Sequence, residues 1–182
     1  NLSGCNSIQK LQGLEKLNFL ESIDVTDCSK LISLQGIPNP NVFGSVSRYS
    51  SKDNPGLDVE FYNCSSLKDI TALKEISKIE KMSFSGCPSI SKTEGLENIE
   101  IDSLSCFNFN INMLQNLSNL KVKTLYLYLD SSTTSLEGLK VWESVTYLSI
   151  DTKHSTGEVG ESFKSLAGID AFSNINFLEL EK

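Results

Sequence analysis

The sequence predicts an α/β solenoid, a right-handed coil with a curved parallel β-sheet on its concave face and short 3₁₀ or irregular segments on its convex face. Two observations predict it. In LESIDVTDCSKLISLQGI, from Leu20 to Ile37, a short strand pattern around Ile23 and Val25 precedes apolar residues at every third position, which is neither a helical period nor a sustained strand alternation. Copies of this unit then return along the chain. Because one unit exposes an apolar edge that it cannot bury alone, the copies must stack.

Cysteines mark the step between copies. Four of them hold the same place in successive units, at intervals of 23, 36 and 23 residues. These are Cys5, Cys28, Cys64 and Cys87, and their later equivalents are Phe109, Asp130 and Lys153. A regular period of about 20 to 30 residues is typical of a solenoid. The cysteines are odd in number and form no CxxC motif, so we expect all four to be buried and unpaired, with Cys106 buried in a different row.

The copies follow one another from a fragment that enters in mid-unit to the final strand-like FLELEK. They begin at Leu2, Leu20, Asp58, Ile79, Ile101, Leu125, Leu148 and Phe177. About seven strands are expected, in one domain over 1–182, with loop insertions near 38–56 and 154–162. The ragged ends indicate a segment of something longer or an unusual cap, and the last strand should pair on one side only.

The pattern L-x-x-L-x-L-x-x-(N/C)-x-x-L-x-x-L-x-x-L covers nearly the whole chain and resembles leucine-rich repeats. The segments LQGLEKL, TEGLENI, LEGLKVW and LAGIDAF are similar to the short repeats of phosphatase regulators and bacterial internalins. Cysteine in place of asparagine is similar to cysteine-ladder internalins and to plant intracellular immune receptors. The resemblance implies recognition of a protein, or of a glycan, on a surface or secreted protein. An intracellular regulatory or scaffold module is the alternative, and a spacer between other domains is a third possibility.

Residues that alternate with the buried strand positions should line the concave face. This face is small and acidic in its first half and aromatic in its second half. The candidate binding residues are Asp58, Glu60, Tyr62, Phe107, Tyr126, Tyr128, Tyr147 and Phe177. Exposed aromatic side chains supply large contact areas at interfaces, although cross-strand aromatic pairs can instead only stabilise a sheet. Trp142 falls on the period of three and is predicted to lie in the core.

Charge and composition argue against several functions. The net charge is −7 and Arg48 is the only arginine, which argues against nucleic acid as a partner. No apolar run is long enough to insert into a membrane. His154, the only histidine, has only Glu158 and Glu161 near it, which makes a poor metal site. We therefore expect no enzyme, no metal and no cofactor.

Overall fold

The computed structural model describes residues 1–17, 20–39, 56–76, 78–109, 111–152 and 163–181. Eight strands form one parallel sheet whose order follows the chain. They are β1 (Leu2–Ser3), β2 (Ser22–Thr26), β3 (Leu57–Tyr62), β4 (Lys78–Ser85), β5 (Glu100–Phe109), β6 (Lys121–Leu129), β7 (Tyr147–Asp151) and β8 (Phe177–Glu181). Each strand pairs only with its neighbours in sequence, so the predicted solenoid is confirmed. The fragment β1 adds a strand to the seven expected.

The core lies on one side of the sheet, where equivalent residues of successive coils meet. Val25 pairs with Phe61, and Phe61 pairs with Phe84. Apart from the half-buried Leu20, the apolar positions of the repeat in the second coil are buried. These residues are Ile23, Val25, Cys28, Leu31, Leu34 and Ile37. The period of three therefore marks a return segment that faces the same core as the strand.

A residue in the left-handed conformation stands directly before the cysteine position. These residues are Gly4, Asp27, Asn63, Gly86 and Asn108, with φ between 53° and 64°. Glycine, asparagine and aspartate are the residues that enter this region most readily. The dipeptides GC, DC and NC in the sequence are therefore turn signals, and each turn aims the next side chain inward.

The cysteines are free thiols at the predicted turn, but not all four are buried. Cys28, Cys64 and Cys87 are buried, and each directs its S–H to a carbonyl of the preceding strand, as in the 3.5 Å contact from Cys64 Sγ to Val25 O. Cys5 is half-buried because it lies in the first coil, which has a neighbour on one side only in the part of the chain that the structure describes. Cys106 is buried in the strand row of Phe84, as expected.

The return segments contain one element that the period of three does not predict. Thr71–Glu75 and Ile169–Ala171 are 3₁₀ helices, as expected, but Ile111–Leu117 is an α-helix, α1. Residues three apart also share a face of an α-helix, so the same spacing fits both structures.

The predicted equivalence of Asp130 with the cysteine position is wrong. Phe109 pairs with Leu129, after a shift of register between Phe107 and Phe109. Leu129 is therefore the buried residue, whereas the Asp130 carboxylate accepts hydrogen bonds from its own turn, including one of 3.0 Å from Ser132 N.

The two predicted insertions, near 38–56 and 154–162, lie almost wholly outside the described residues, as do Arg48, Lys153 and His154.

The last strand pairs on one side only. Strand β8 pairs with β7 and with no other strand in the described part of the chain, as predicted. Leu178 and Leu180 face the core side, yet they are 38% and 51% exposed, because no further coil among the described residues covers them. This end of the sheet therefore presents apolar surface.

Candidate interaction face

Three rows of side chains cross the sheet on the side opposite the core, and together we name them the interaction face. The first row is Ser22, Asp58, Lys81, Ser103, Thr124, Tyr147 and Phe177. The second row is Asp24, Glu60, Ser83, Ser105, Tyr126, Ser149 and Glu179. The third row is Thr26, Tyr62, Ser85, Phe107, Tyr128, Asp151 and Glu181. The strand register thus places all eight candidate residues on this one face; that they bind a partner stays a prediction.

The aromatic half of the face spans β5 to β8. Phe107 stacks on Tyr128 with ring centroids 4.1 Å apart and planes 12° apart. Tyr147 lies between Tyr126, at 5.7 Å, and Phe177, at 5.1 Å. We name these five residues the aromatic cluster. It consists of the pair Phe107–Tyr128 and the trio Tyr126, Tyr147 and Phe177, each held together by ring contacts across neighbouring strands.

Carboxylates at the end of the sheet act on the tyrosines of the cluster. The Tyr147 hydroxyl donates a hydrogen bond to Glu179 Oε2, and this bond is the main reason that the pKa of Tyr147 rises to about 12. Burial, followed by the nearby Asp151 and Glu181 carboxylates, raises the pKa of Tyr128. Ionising either phenol would place a second anion beside a carboxylate. Both phenols therefore remain neutral hydrogen-bond donors at neutral pH.

The acidic half of the face contains a depression of about 340 Å³. Its lining includes Asp24, Glu60, Tyr62, Ser83, Ser85 and Phe107. The Asp24 carboxylate accepts hydrogen bonds from Asn1 Nδ2 at 2.5 Å and from Thr26 Oγ1 at 2.9 Å, which fix its orientation. Tyr62 is 50% exposed, and Glu60 is exposed beside it.

Sequence reasoning singled out Tyr62 and Phe107 but missed the depression between them. The opening exists because Ser85 separates the two aromatic residues in the third row. The alternation of large, small and large side chains runs across three strands rather than along one. The signal was therefore present in the aligned repeats and not in any single repeat.

Trp142 belongs to the core, as predicted. It is buried and packs against Phe172, with ring centroids 6.2 Å apart. Its indole N–H meets no acceptor among the residues that the structure describes. Trp142 is thus a packing residue and not part of the interaction face.

Two kinds of site have no candidate in the described ranges. No group of three or more histidine, cysteine, aspartate or glutamate residues there could hold a metal ion. No helix in the same ranges is long and apolar enough to cross a membrane.

Comparisons with known proteins identify the repeats. The model of the BspA-type leucine-rich repeat region matches residues 58–154 in 6 copies, which is more than half of the chain. Comparison with curated proteins finds no match, and comparison with solved structures finds none. The chain belongs to the BspA-type leucine-rich repeat family, whose solenoids typically serve as scaffolds for protein interaction rather than as enzymes.

Proposed function

We propose that this chain recognises another protein through the interaction face, with the aromatic cluster as its anchor. One observation carries the proposal: five aromatic residues associate on the outward side of the sheet, although the core has an aromatic stack of its own. Inside, Phe61 and Phe84 lie 5.6 Å apart, and Phe84 and Phe109 lie 6.5 Å apart. The outward rings are therefore not needed to fill the core, which favours binding over sheet stabilisation alone.

The cluster has the physical properties of an interface anchor. Its rings already contact one another within the pair and within the trio, so a partner that packs on them orders few additional torsions. Phe177, at the end of the cluster, is 56% exposed and offers one ring face to solvent. The hydroxyls of Tyr126, Tyr128 and Tyr147 supply polar contacts beside the apolar rings, and tyrosine is enriched at binding hot spots for this reason.

We propose a surface or secreted location, which rests on the resemblance to internalins alone. The intracellular regulatory or scaffold module remains the alternative, since free thiols occur in either compartment. Cleavage of the native protein by protease added to intact cells supports the surface location. Protection until the cells are lysed contradicts it.

The test of the face compares three variants with the wild-type protein. Tyr126→Ala combined with Tyr128→Ala removes two members of the cluster, Trp142→Ala removes a core residue, and Val141→Ala changes a side chain that is 55% exposed elsewhere. Peptides selected from a random phage-displayed library on the wild-type protein, together with a glycan array, serve as probes. Thermal unfolding is measured beside affinity.

The double variant should bind the selected peptides at least about 30-fold more weakly, because loss of an aromatic anchor costs about 2 kcal/mol or more. It should unfold close to wild type, since both tyrosines lie outside the core and cross-strand pairs contribute only about 0.2–1 kcal/mol each. Trp142→Ala should lose about 3–5 kcal/mol of stability, and Val141→Ala should change neither property.

Three other outcomes count against the proposal. A double variant that unfolds like Trp142→Ala would assign these tyrosines to the core. One that folds and binds normally would move the site elsewhere, and residues 38–56 would be tested next. Binding on the glycan array alone, lost in the double variant, would make the partner a carbohydrate, whose sugar rings also stack on aromatic faces.

A further inference from the structure

The third row of the interaction face contains a slot between two aromatic side chains. Tyr62 on β3, Ser85 on β4 and Phe107 on β5 are successive partners in the sheet. Strands lie about 4.8 Å apart, so the backbone positions of Tyr62 and Phe107 stand roughly 9–10 Å apart, with the small serine between them. A planar group needs about 3.5–4.0 Å to each neighbouring layer of atoms. The slot therefore has room for one planar group between its walls.

One wall of the slot is fixed from behind. Tyr128 covers one face of Phe107 at 4.1 Å, in a nearly parallel stack. The opposite face of Phe107 is turned toward Ser85 and lines the depression, together with Tyr62. Because the Phe107 ring is already held by this stack, a ligand that enters the slot does not have to immobilise it, and binding loses less conformational entropy.

The charges around the slot have one sign. The second and third rows contain no lysine or arginine, and the charged residues that line the slot are Asp24 and Glu60. The other carboxylates of these rows, Asp151, Glu179 and Glu181, lie farther along the sheet on β7 and β8. Glu60 lines the slot and forms no hydrogen bond or ion pair with another residue in the described ranges. Lys81, the one cation of the three rows, lies opposite Asp58 in the strand register and does not line the slot. Aromatic faces and carboxylates together attract a cation.

We propose that this slot takes an arginine side chain of the partner protein, an inference that rests on the protein recognition proposed above. A guanidinium is planar, so it stacks between Tyr62 and Phe107 while its N–H groups reach the Glu60 carboxylate in a two-pronged hydrogen bond. A neutral ring would fill the same space but leave the carboxylate without a partner. The ammonium group of lysine would satisfy the charge but not the two flat walls.

The test uses N-acetyl-arginine amide as the probe and the uncharged N-acetyl-citrulline amide, which has nearly the same shape, as its control. Binding is followed by the backbone amide NMR signals of Ser83, Ser85 and Phe107. The arginine probe should shift these signals, and the citrulline probe should bind roughly tenfold more weakly, because it lacks the charge.

Variants of the slot separate shape from charge. Ser85→Phe fills the slot and should abolish the response, whereas Glu60→Gln keeps the shape, removes the charge and should weaken binding roughly tenfold. Glu97→Gln, which neutralises an exposed glutamate of a return segment, is the matched control and should bind as wild type does. If thermal unfolding shows that Ser85→Phe does not fold, the test rests on Glu60→Gln and Glu97→Gln, whose binding of the arginine probe is compared.

Three outcomes would each contradict arginine binding in the slot. The arginine and citrulline probes could give equal responses, the NMR signals could shift only at Tyr126 and Tyr147, or Glu60→Gln could bind the arginine probe as tightly as wild type. The two proposals fail separately. If selected peptides still depend on Tyr126 and Tyr128 while the arginine probe has no effect, only the slot is wrong. If the arginine probe binds at the slot while the double variant of Tyr126 and Tyr128 binds the selected peptides as wild type does, the aromatic cluster is not the anchor.

Discussion

At the scale of single residues, glycines control how closely successive coils approach. Gly36 has φ +96°, and a Cβ there would lie 2.5 Å from Gln12 N and 2.6 Å from the Leu11 carbonyl carbon of the preceding coil. Gly13 has a similar φ of +102°, but a Cβ there would have no atom within 4 Å. The two positions share a backbone conformation and differ in their contact with the neighbouring coil.

This pair separates backbone strain from coil packing. Gly13→Ala should cost about 1–2 kcal/mol of unfolding free energy, the price of a left-handed conformation for alanine. Gly36→Ala should cost roughly 1–3 kcal/mol more, because the methyl group meets backbone that has to move. Unfolding in urea measures both values. Equal losses would show that the coils separate at this point without cost.

At the scale of the repeated turn, buried cysteine thiols donate hydrogen bonds to backbone carbonyls of the preceding strand. The hydrogen bonds run from Cys28 to Leu2 O at 3.8 Å and from Cys87 to Phe61 O at 3.7 Å. Contact with the Cys64 thiol, followed by burial, raises the pKa of Cys87, and burial raises the pKa of Cys106. The Cys87 and Cys106 thiols therefore remain protonated and poorly reactive in the native protein.

Thiol labelling of the native protein should follow burial. Cys5 should react first with a maleimide at pH 8, because it is half-buried, whereas Cys28, Cys64, Cys87 and Cys106 should react slowly. All five should react once the protein is unfolded. Mass spectrometry of the labelled peptides reports each site. Fast labelling of Cys64 or Cys87 in folded protein, or a disulfide between any two cysteines, would contradict the buried row.

At the scale of the whole molecule, each coil is stabilised by its contacts with the coils on either side. Within the described ranges, strands β2 to β7 have a partner on both sides, whereas β1 and β8 have one. The energy of such an array is close to a sum over neighbouring coils. Opening should therefore begin at the ends and proceed inward.

Hydrogen exchange should show this order directly. Backbone amides of β8 and β1 should exchange first, and those of β4 and β5 last, because local opening of an end breaks contacts with one neighbour only. Exchange followed by mass spectrometry at neutral pH gives the profile. Equal protection across all eight strands would mean that the solenoid opens as a single cooperative unit.

Most of the architecture could be predicted from the sequence because two periods are superimposed in it. Alternation around Ile23 and Val25 identifies a strand with one buried face, and the fixed step aligns that strand with its neighbours. The same two periods gave the three rows of the interaction face. Helix α1 was missed because a spacing of three fits both a 3₁₀ helix and an α-helix. The equivalence of Leu129 with Phe109 was missed because a shift of register depends on how two strands pair and not on either strand alone.

The partner could not be predicted in the same way. The repeat determines the inward residues, since each must fill the space left by the coils beside it. It places no such demand on outward residues such as Tyr62, Ser85 and Phe107. The slot that they form is visible only when three neighbouring strands are aligned. What binds there depends on the partner, which the sequence of this chain does not specify.

The order of the sheet also has a mechanical consequence. Every strand is bonded to the next one along the chain, so a force that pulls the two ends apart along the stack loads these bonds one strand pair at a time. A released coil of 23 residues lengthens the chain by roughly 80 Å. The molecule would thus yield under tension as a series of small steps rather than in one rupture, and would behave as an extensible tether.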